Sequence, residues 1–171
     1  MRYVPVALFA ALFAVLAYGL LHADDVQAPG ASPMLNQSLP KLTLEPFTGD
    51  SAFTPKGRVQ VVNIFASWCT PCIAELPELV PLRQIDGVAL VGIAWHDAPE
   101  KLRAWVKKYQ APYDHIYRDM DNQTGVKLGI RGVPETFVVD RDGIIRFHHV
   151  GPLDRHTREA ELEPLLRELT Q

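Results

Sequence analysis

The most continuous apolar pattern in the chain is Val59-Gln60-Val61-Val62-Asn63-Ile64-Phe65-Ala66, a β-branched run that predicts a central strand covered on both faces. Val88 to Ala94 repeats the pattern, and the segment between, helical from about Cys72, presents Leu76, Leu79 and Val80 on one side. These three elements predict a β-α-β unit. Leu102, Trp105, Val106 and Tyr109 then fall at i, i+3, i+4 and i+7, with Asp97 placed to cap a helix, Pro99 in its first turn and Pro112 beyond its end. A short strand at His115 to Tyr117 and a short helix at Asn122 to Leu128 follow. Thr136 to Asp140 and Ile144 to His149 alternate about Arg141-Asp142-Gly143, turn chemistry that predicts an antiparallel hairpin, and Leu162, Leu165, Leu166 and Leu169 line one face of a last helix. Crossover helices followed by a hairpin and a helix predict an α/β sandwich with a mixed sheet.

The ends differ from this body. Tyr3 to Leu21 carries no formal charge, and as a helix it would rise about 28 Å, close to the ~30 Å hydrocarbon core of a bilayer. With Arg2 before it and Asp24 and Asp25 after it, residues 1–22 are expected to form a membrane anchor that sends the rest of the chain across the membrane. A cleaved signal peptide is the alternative, since Leu21-His22-Ala23 loosely fits a cleavage site, although the apolar run exceeds the usual ~7–15 residues. Residues 23–38, rich in Ala, Pro, Gly, Ser, Gln and Asn, read as a tether, and 39–171 as the globular domain.

Charge narrows the function. The 171 residues hold 17 Lys and Arg against 20 Asp and Glu with no basic cluster, which excludes the electrostatic footprint of a nucleic-acid binder. The chain has 2 cysteines, Cys69 and Cys72, too few for a disulfide scaffold or a closed four-cysteine zinc site. They stand in Trp68-Cys69-Thr70-Pro71-Cys72, where a buried strand hands over to a helix. A thiol at a helix N-terminus meets unpaired N–H groups and partial positive charge, which favour the thiolate. Cys69 is therefore the expected nucleophile, and Cys72, one turn on and facing inward, the thiol that resolves a mixed disulfide. Pro71 suits the first turn, and Thr70 and Pro71 bring no cation that would stabilise the thiolate further. A zinc site lacks a second ligand pair, because His148 and His149 are adjacent in a strand and point to opposite faces. A purely structural disulfide closing so small a loop would contribute little stability. His96, His115 and His156 read as surface or loop residues, and Trp105 and Tyr109 as core-facing.

Phe65-Ala66-Ser67-Trp68-Cys69-Thr70-Pro71-Cys72, then Pro77 within the following helix, then Gly132-Val133-Pro134-Glu135-Thr136-Phe137 before the hairpin, together resemble a thioredoxin-fold oxidoreductase, and more narrowly the membrane-anchored CcmG/DsbE family of cytochrome c maturation. The resemblance covers roughly residues 35 to 168. It implies a thioredoxin-like three-layer α/β/α sandwich with a mixed sheet, preceded by one N-terminal transmembrane helix. The implied activity is that of a periplasmic protein-disulfide reductase at the inner membrane, with apocytochrome c or haem-assembly thiol proteins as substrates and a membrane electron donor of the DsbD/CcdA type. No cofactor is implied beyond the redox-active Cys69-Cys72 pair, and no metal.

The same resemblance implies that Pro134 is a cis-proline beside the thiols, with the Val133 backbone pairing to an extended substrate strand. Trp68, Thr70, Pro71, Val133 and Pro134 would line the substrate groove. The segment from about Asp97 to Met120 would include material inserted into the thioredoxin core. Asn63 is polar within a buried strand, on the face of Val61 and Phe65, where ordinary thioredoxins carry a buried Asp that handles the second thiol's proton. Glu75 and Glu135 match acidic positions of the CcmG-like branch, and both are expected, with raised pKa values if partly buried, to tune Cys72 and the acidity of the groove. A solvated first-turn Glu75 and a groove-edge Glu135 are the plainer alternatives. Two other functions fit the thiol pair: a less specialised TlpA/ResA-like thiol reductase, and a copper chaperone, for which thiolates suit Cu(I) but Gly132 to Thr136 offers no histidine.

Overall fold

Residues 59–65 are buried along their whole length because the sheet they centre is covered on both faces. The computed structural model describes Phe13, residues 32–119 and residues 121–171. The expected anchor at 1–22 and the tether as far as residue 31 lie, Phe13 apart, outside the described residues. Among the described residues no helix is long and apolar enough to cross a membrane.

The strands are β1 (Leu44–Pro46), β2 (Val59–Phe65), β3 (Val88–Trp95), β4 (His115–Asp119), β5 (Glu135–Val139) and β6 (Ile145–Val150), in sheet order β1-β4-β3-β2-β5-β6. Helix α1 (Thr70–Arg83) crosses from β2 to β3 and α2 (Pro99–Tyr109) from β3 to β4, and both strand pairs are parallel as such crossovers require. The β2–β5, β5–β6 and β1–β4 pairs are antiparallel, so the sheet is mixed. Helix α3 (Gln123–Leu128) precedes β5, and α4 runs through Arg155–Thr157, a π turn at Arg158–Leu162, and Glu163–Thr170.

Strand periodicity sorts the core into two halves. Val61 and Phe65 of β2 join Cys72, Leu76 and Leu79 of α1, Leu102 and Trp105 of α2, and Leu162 and Leu166 of α4 on one face. Val62 and Ile64 join Leu128 of α3, Leu39 and Phe137 on the other, where Met34, Leu42 and Phe53 pack against them. That second outer layer is one short helix plus an irregular N-terminal strap.

Three expectations change, and one strand is added. The tether was expected to reach residue 38, but the compact unit begins at Met34: the Asn36 N–H donates to Ile145 O at 2.8 Å and Ser38 bridges Ile144, hydrogen bonds that composition does not reveal. Strand β1 has no sequence signal, being three residues whose pairing to β4 alone makes them a strand. Val80 is exposed and Leu82 takes the buried position, because the buried stripe of α1 runs through Cys72, Glu75, Leu76, Leu79 and Leu82. Asp97 does not cap α2; Ala98 occupies that place without a side-chain bond, and Asp97 turns to the thiol loop. Buried Arg158 in the π turn ties α4 to α1, donating to Glu78 at 2.9 Å and pairing with Glu159 and Glu163.

Candidate active site

β2 delivers the chain to the carboxyl edge of the sheet, where Cys69 becomes the N-cap of α1. The Cys72 N–H donates to Cys69 Sγ at 3.1 Å, an orphan donor of the first helical turn directed at the sulfur. Pro71 sits in the first turn, where no N–H is needed, and Thr70 beside it is exposed. The two sulfurs are joined in a disulfide. Cys69 keeps 4% of its surface exposed and Cys72 none, so a partner can reach only the first.

The loop around the pair is held from β3. Asp97 accepts from the Ser67 N–H at 2.5 Å and from Ser67 Oγ at 2.7 Å, while Trp68 Nε1 donates to His96 O at 3.1 Å. This leaves the Trp68 indole 55% exposed beside Cys69. Across the groove the Val133–Pro134 peptide is cis, the geometry the resemblance implies, and Val133 O lies 3.5 Å from Cys69 Sγ.

Beneath Cys72 lies a closed polar network. Glu75, one turn further on the buried side of α1, is 1% exposed, which overturns its reading as a solvated first-turn residue. Its Oε1 accepts from Asn63 Nδ2 at 3.0 Å and its Oε2 from the Leu153 N–H at 3.0 Å. Asn63 Nδ2 also donates to Thr136 Oγ1 at 3.1 Å, and Asn63 Oδ1 accepts from Tyr113 O–H at 2.6 Å. Burial pushes the Glu75 carboxyl up to about 7 from an ordinary 4.5, and the Leu153 N–H and Asn63 amide offset this only in part. The Tyr113 phenol is pushed well above its ordinary value by burial and by the Glu75 charge.

Glu135 does something else. Adjacent to Thr136 in β5, it points to the opposite face of the sheet, and the expectation that it handles the Cys72 proton is wrong on geometry. Its Oε1 accepts from the N–H groups of Arg131 at 2.7 Å and Gly132 at 3.3 Å, and its Oε2 lies 2.8 Å from His148 Nε2. Burial alone would raise its pKa, but the His148 bond, the Arg131 N–H, the His148 charge and the Gly132 N–H outweigh burial and hold it below 4.5. Glu135 thus pins the turn carrying Val133 and Pro134 from the face of the sheet opposite Asn63 and Thr136.

Sequence reasoning missed Tyr113, Asp97 and His148 as members of this region. Tyr113 lies in a helix-to-strand connection with no periodic signal, Asp97 mimicked a helix cap, and His148 was weighed only as a metal ligand.

A disulfide-forming Cys-x-x-Cys at a strand-to-helix turn, facing a cis-proline loop on a mixed α/β sheet, defines a thioredoxin-like thiol:disulfide oxidoreductase. The AhpC/TSA family profile matches residues 32–148. The thiol:disulfide interchange protein DsbE of Allochromatium vinosum is 35% identical over 167 residues, covering 95% of this chain and 91% of that protein. HelX of Rhodobacter capsulatus, also named a thiol:disulfide interchange protein, is 36% identical over 144 residues, 81% of each chain. In fold, a thiol-disulfide isomerase from Corynebacterium glutamicum superposes with a TM-score of 0.67 over 80% of this chain and 97% of its own, at 23% identity. The chain belongs to the AhpC/TSA family and, within it, to the thiol:disulfide interchange proteins of the DsbE/HelX group.

Proposed function

We propose that this thiol:disulfide interchange protein is a protein-disulfide reductase of cytochrome c maturation, anchored by residues 1–22 in the inner membrane with its thioredoxin-like domain, 39–171 with the strap from Met34, in the periplasm. The reading is supported above all by the pairing of Glu75 with Asn63 next to the sealed thiol Cys72, because this replaces the lone buried acid of ordinary thioredoxins by the acidic position typical of the CcmG-like branch.

In the reduced protein the Cys69 thiolate, stabilised by the Cys72 N–H, attacks one sulfur of a substrate disulfide. A Cys69–substrate bond forms, the substrate S–S bond breaks, and the departing thiolate takes a proton. Cys72, deprotonated with Glu75 as the acceptor, attacks Cys69 Sγ; the internal disulfide forms and the second substrate thiolate leaves and is protonated. The substrate gains two electrons and two protons, and a membrane dithiol donor of the DsbD/CcdA type restores the Cys69-Cys72 dithiol. Trp68, Thr70, Pro71, Val133 and Pro134 shape the groove, with the Val133 backbone pairing to the extended substrate.

Trapping with Cys72→Ala in a periplasmic extract tests this. The expected product is a stalled mixed disulfide between Cys69 and apocytochrome c, or another protein bearing C-x-x-C-H, or a haem-assembly thiol protein. Capture of diverse unrelated secreted proteins would instead indicate a TlpA/ResA-like general reductase. Tight stoichiometric Cu(I) binding that survives thiol competitors and needs both cysteines would indicate a copper chaperone.

A further inference from the structure

The buried amide of Asn63 can sit in two orientations related by a half-turn that exchanges oxygen and nitrogen, and its neighbours decide between them. Thr136 constrains the choice less, since its hydroxyl lies 3.1 Å away, against 2.6 Å for that of Tyr113, and can donate to the amide oxygen as well as accept from its nitrogen. A protonated Glu75 does not decide, since a carboxylic acid can donate to the amide oxygen as well as accept from its nitrogen. Tyr113 does. Its phenol keeps its proton, pushed as it is well above 10, and its one hydrogen bond goes to Asn63 Oδ1 at 2.6 Å. Turning the amide over would exchange this short bond for an N–H contact to the phenol oxygen and leave the phenol proton without the acceptor it now has.

The ring itself has little freedom. It stacks on Phe65 with centroids 4.8 Å apart, in space that exists because residue 92 is glycine: a Cβ there would lie 2.9 Å from the Tyr113 ring and 2.8 Å from Phe65. The next residue is clamped on both sides. Asp114 N–H donates to Leu90 O, and the Asp114 carboxylate accepts from the Leu90 N–H at 2.9 Å and from Arg83 Nε at 2.7 Å. A residue far from the thiols in sequence is therefore held rigidly with its hydroxyl aimed at the amide that touches Glu75.

We propose that Tyr113 is a positioning residue of the redox site: its O–H locks the Asn63 amide with N–H, and not oxygen, toward Glu75, one helical turn from Cys72. The N–H favours the carboxylate, whereas an amide oxygen in its place would repel the carboxylate and favour the acid. The groups turned toward Glu75 are Asn63 from β2, the Leu153 N–H from the β6–α4 turn and the Tyr113 phenol, with Cys72 a turn back on its own helix. Of these only Tyr113 and Cys72 titrate. The inference rests on the proton role assigned to Glu75 for its consequence at Cys72, but not for the effect on Glu75 itself.

The test is Tyr113→Phe in the full chain, which keeps the ring and its stack and removes only the hydroxyl. The titration of the Glu75 carboxyl carbon, followed by NMR, is expected to move to higher pH by about one unit, a roughly tenfold gain in proton affinity, with the Cys72 thiol titration moving with it in the reduced protein. A folded Tyr113→Phe variant with an unmoved Glu75 midpoint would overturn the proposal, even if the variant were less stable. A moved Glu75 with an unmoved Cys72 would uphold the lock and overturn the proton role of Glu75. Wild-type protein supplies a check that needs no variant: the Asn63 amide protons should show cross-relaxation to Thr136, and amide protons lying against the Tyr113 hydroxyl would refute the orientation.

Discussion

Glu135 Oε2 lies 2.8 Å from His148 Nε2 on the face of the sheet away from Cys72, and the His148 ring stacks on Phe137 at 4.0 Å. The pair occupies adjoining strands, so the acid beside the cis-proline is tied to β6 and, through the Arg131 and Gly132 N–H groups, to the turn that forms one wall of the groove. Glu135 and Glu75 share residue type and burial but have opposite electrostatics. Three partners, the Arg131 and Gly132 N–H groups and His148, surround the first, while the second has two donors and is governed by burial.

Glu135→Leu should strand the Arg131 and Gly132 N–H groups and cost on the order of 2 kcal/mol at neutral pH. The pH dependence carries a sign. The folded pKa lies below 4.5, so the stabilisation is present above the ordinary carboxylate range and is lost as pH falls through the folded value. Urea unfolding of wild type and variant from pH 3 to 7 should give a gap that closes on the acid side; a gap of constant size would be inconsistent with an ionised Glu135.

Glu75 has the opposite sign. Its folded pKa of about 7 exceeds the ordinary 4.5, so the folded chain holds this proton more tightly than the unfolded chain does. Stability is full below about 4.5 and declines as pH rises toward about 7, by about 3 kcal/mol in all. In the oxidised protein, where neither thiol titrates, Glu75→Gln should remove this decline. Equal pH slopes in wild type and variant between pH 5 and 7 would show that Glu75 titrates normally.

Gly92→Ala should destabilise the chain by about 1–3 kcal/mol, because the new Cβ meets Phe65 and Tyr113 inside a central strand. Phe65→Leu on the same background relieves half of the clash, so the double variant should be more stable than the sum of the two single losses. Strict additivity in equilibrium unfolding would count against a shared contact.

Asp97→Ala removes the acceptor for both the Ser67 N–H and its hydroxyl. A loss of about 1–3 kcal/mol is expected, together with slower disulfide exchange, since the turn that presents Trp68 and Cys69 loses its brace. Ser67→Ala should lose less, because the backbone N–H keeps its partner. If the two variants exchanged disulfides at the wild-type rate, the loop would not depend on Asp97.

Much of the fold is legible along the chain because the elements that build it carry local periodicity. The runs at 59–66 and 88–94, the spacing of Leu102, Trp105 and Tyr109, and the hairpin about Arg141-Asp142-Gly143 all correspond to elements of the sheet and its helices. Strand β1 and the docking of Asn36 and Ser38 were not legible, since each exists only through hydrogen bonds to residues far along the chain. Asp97 shows how a local rule misleads: an acid before Pro99 satisfies the sequence requirement for a cap, but the Ser67 loop, 30 residues earlier, competes for the same carboxylate.

The sequence by itself determined the chemistry of the thiol pair, because the strand, the two cysteines and the helix start are contiguous and the helix N-terminus acts within one turn. Only the tertiary structure decided what the two acids do. Glu75 and Glu135 look alike in sequence, and their protonation depends on which donors the fold brings to each and how much water it removes. Glu75 meets Asn63 and the Leu153 N–H in the buried interior one helical turn from Cys72, Glu135 meets His148 and a turn of N–H groups on the far face, and Tyr113 reaches Asn63 across 50 residues.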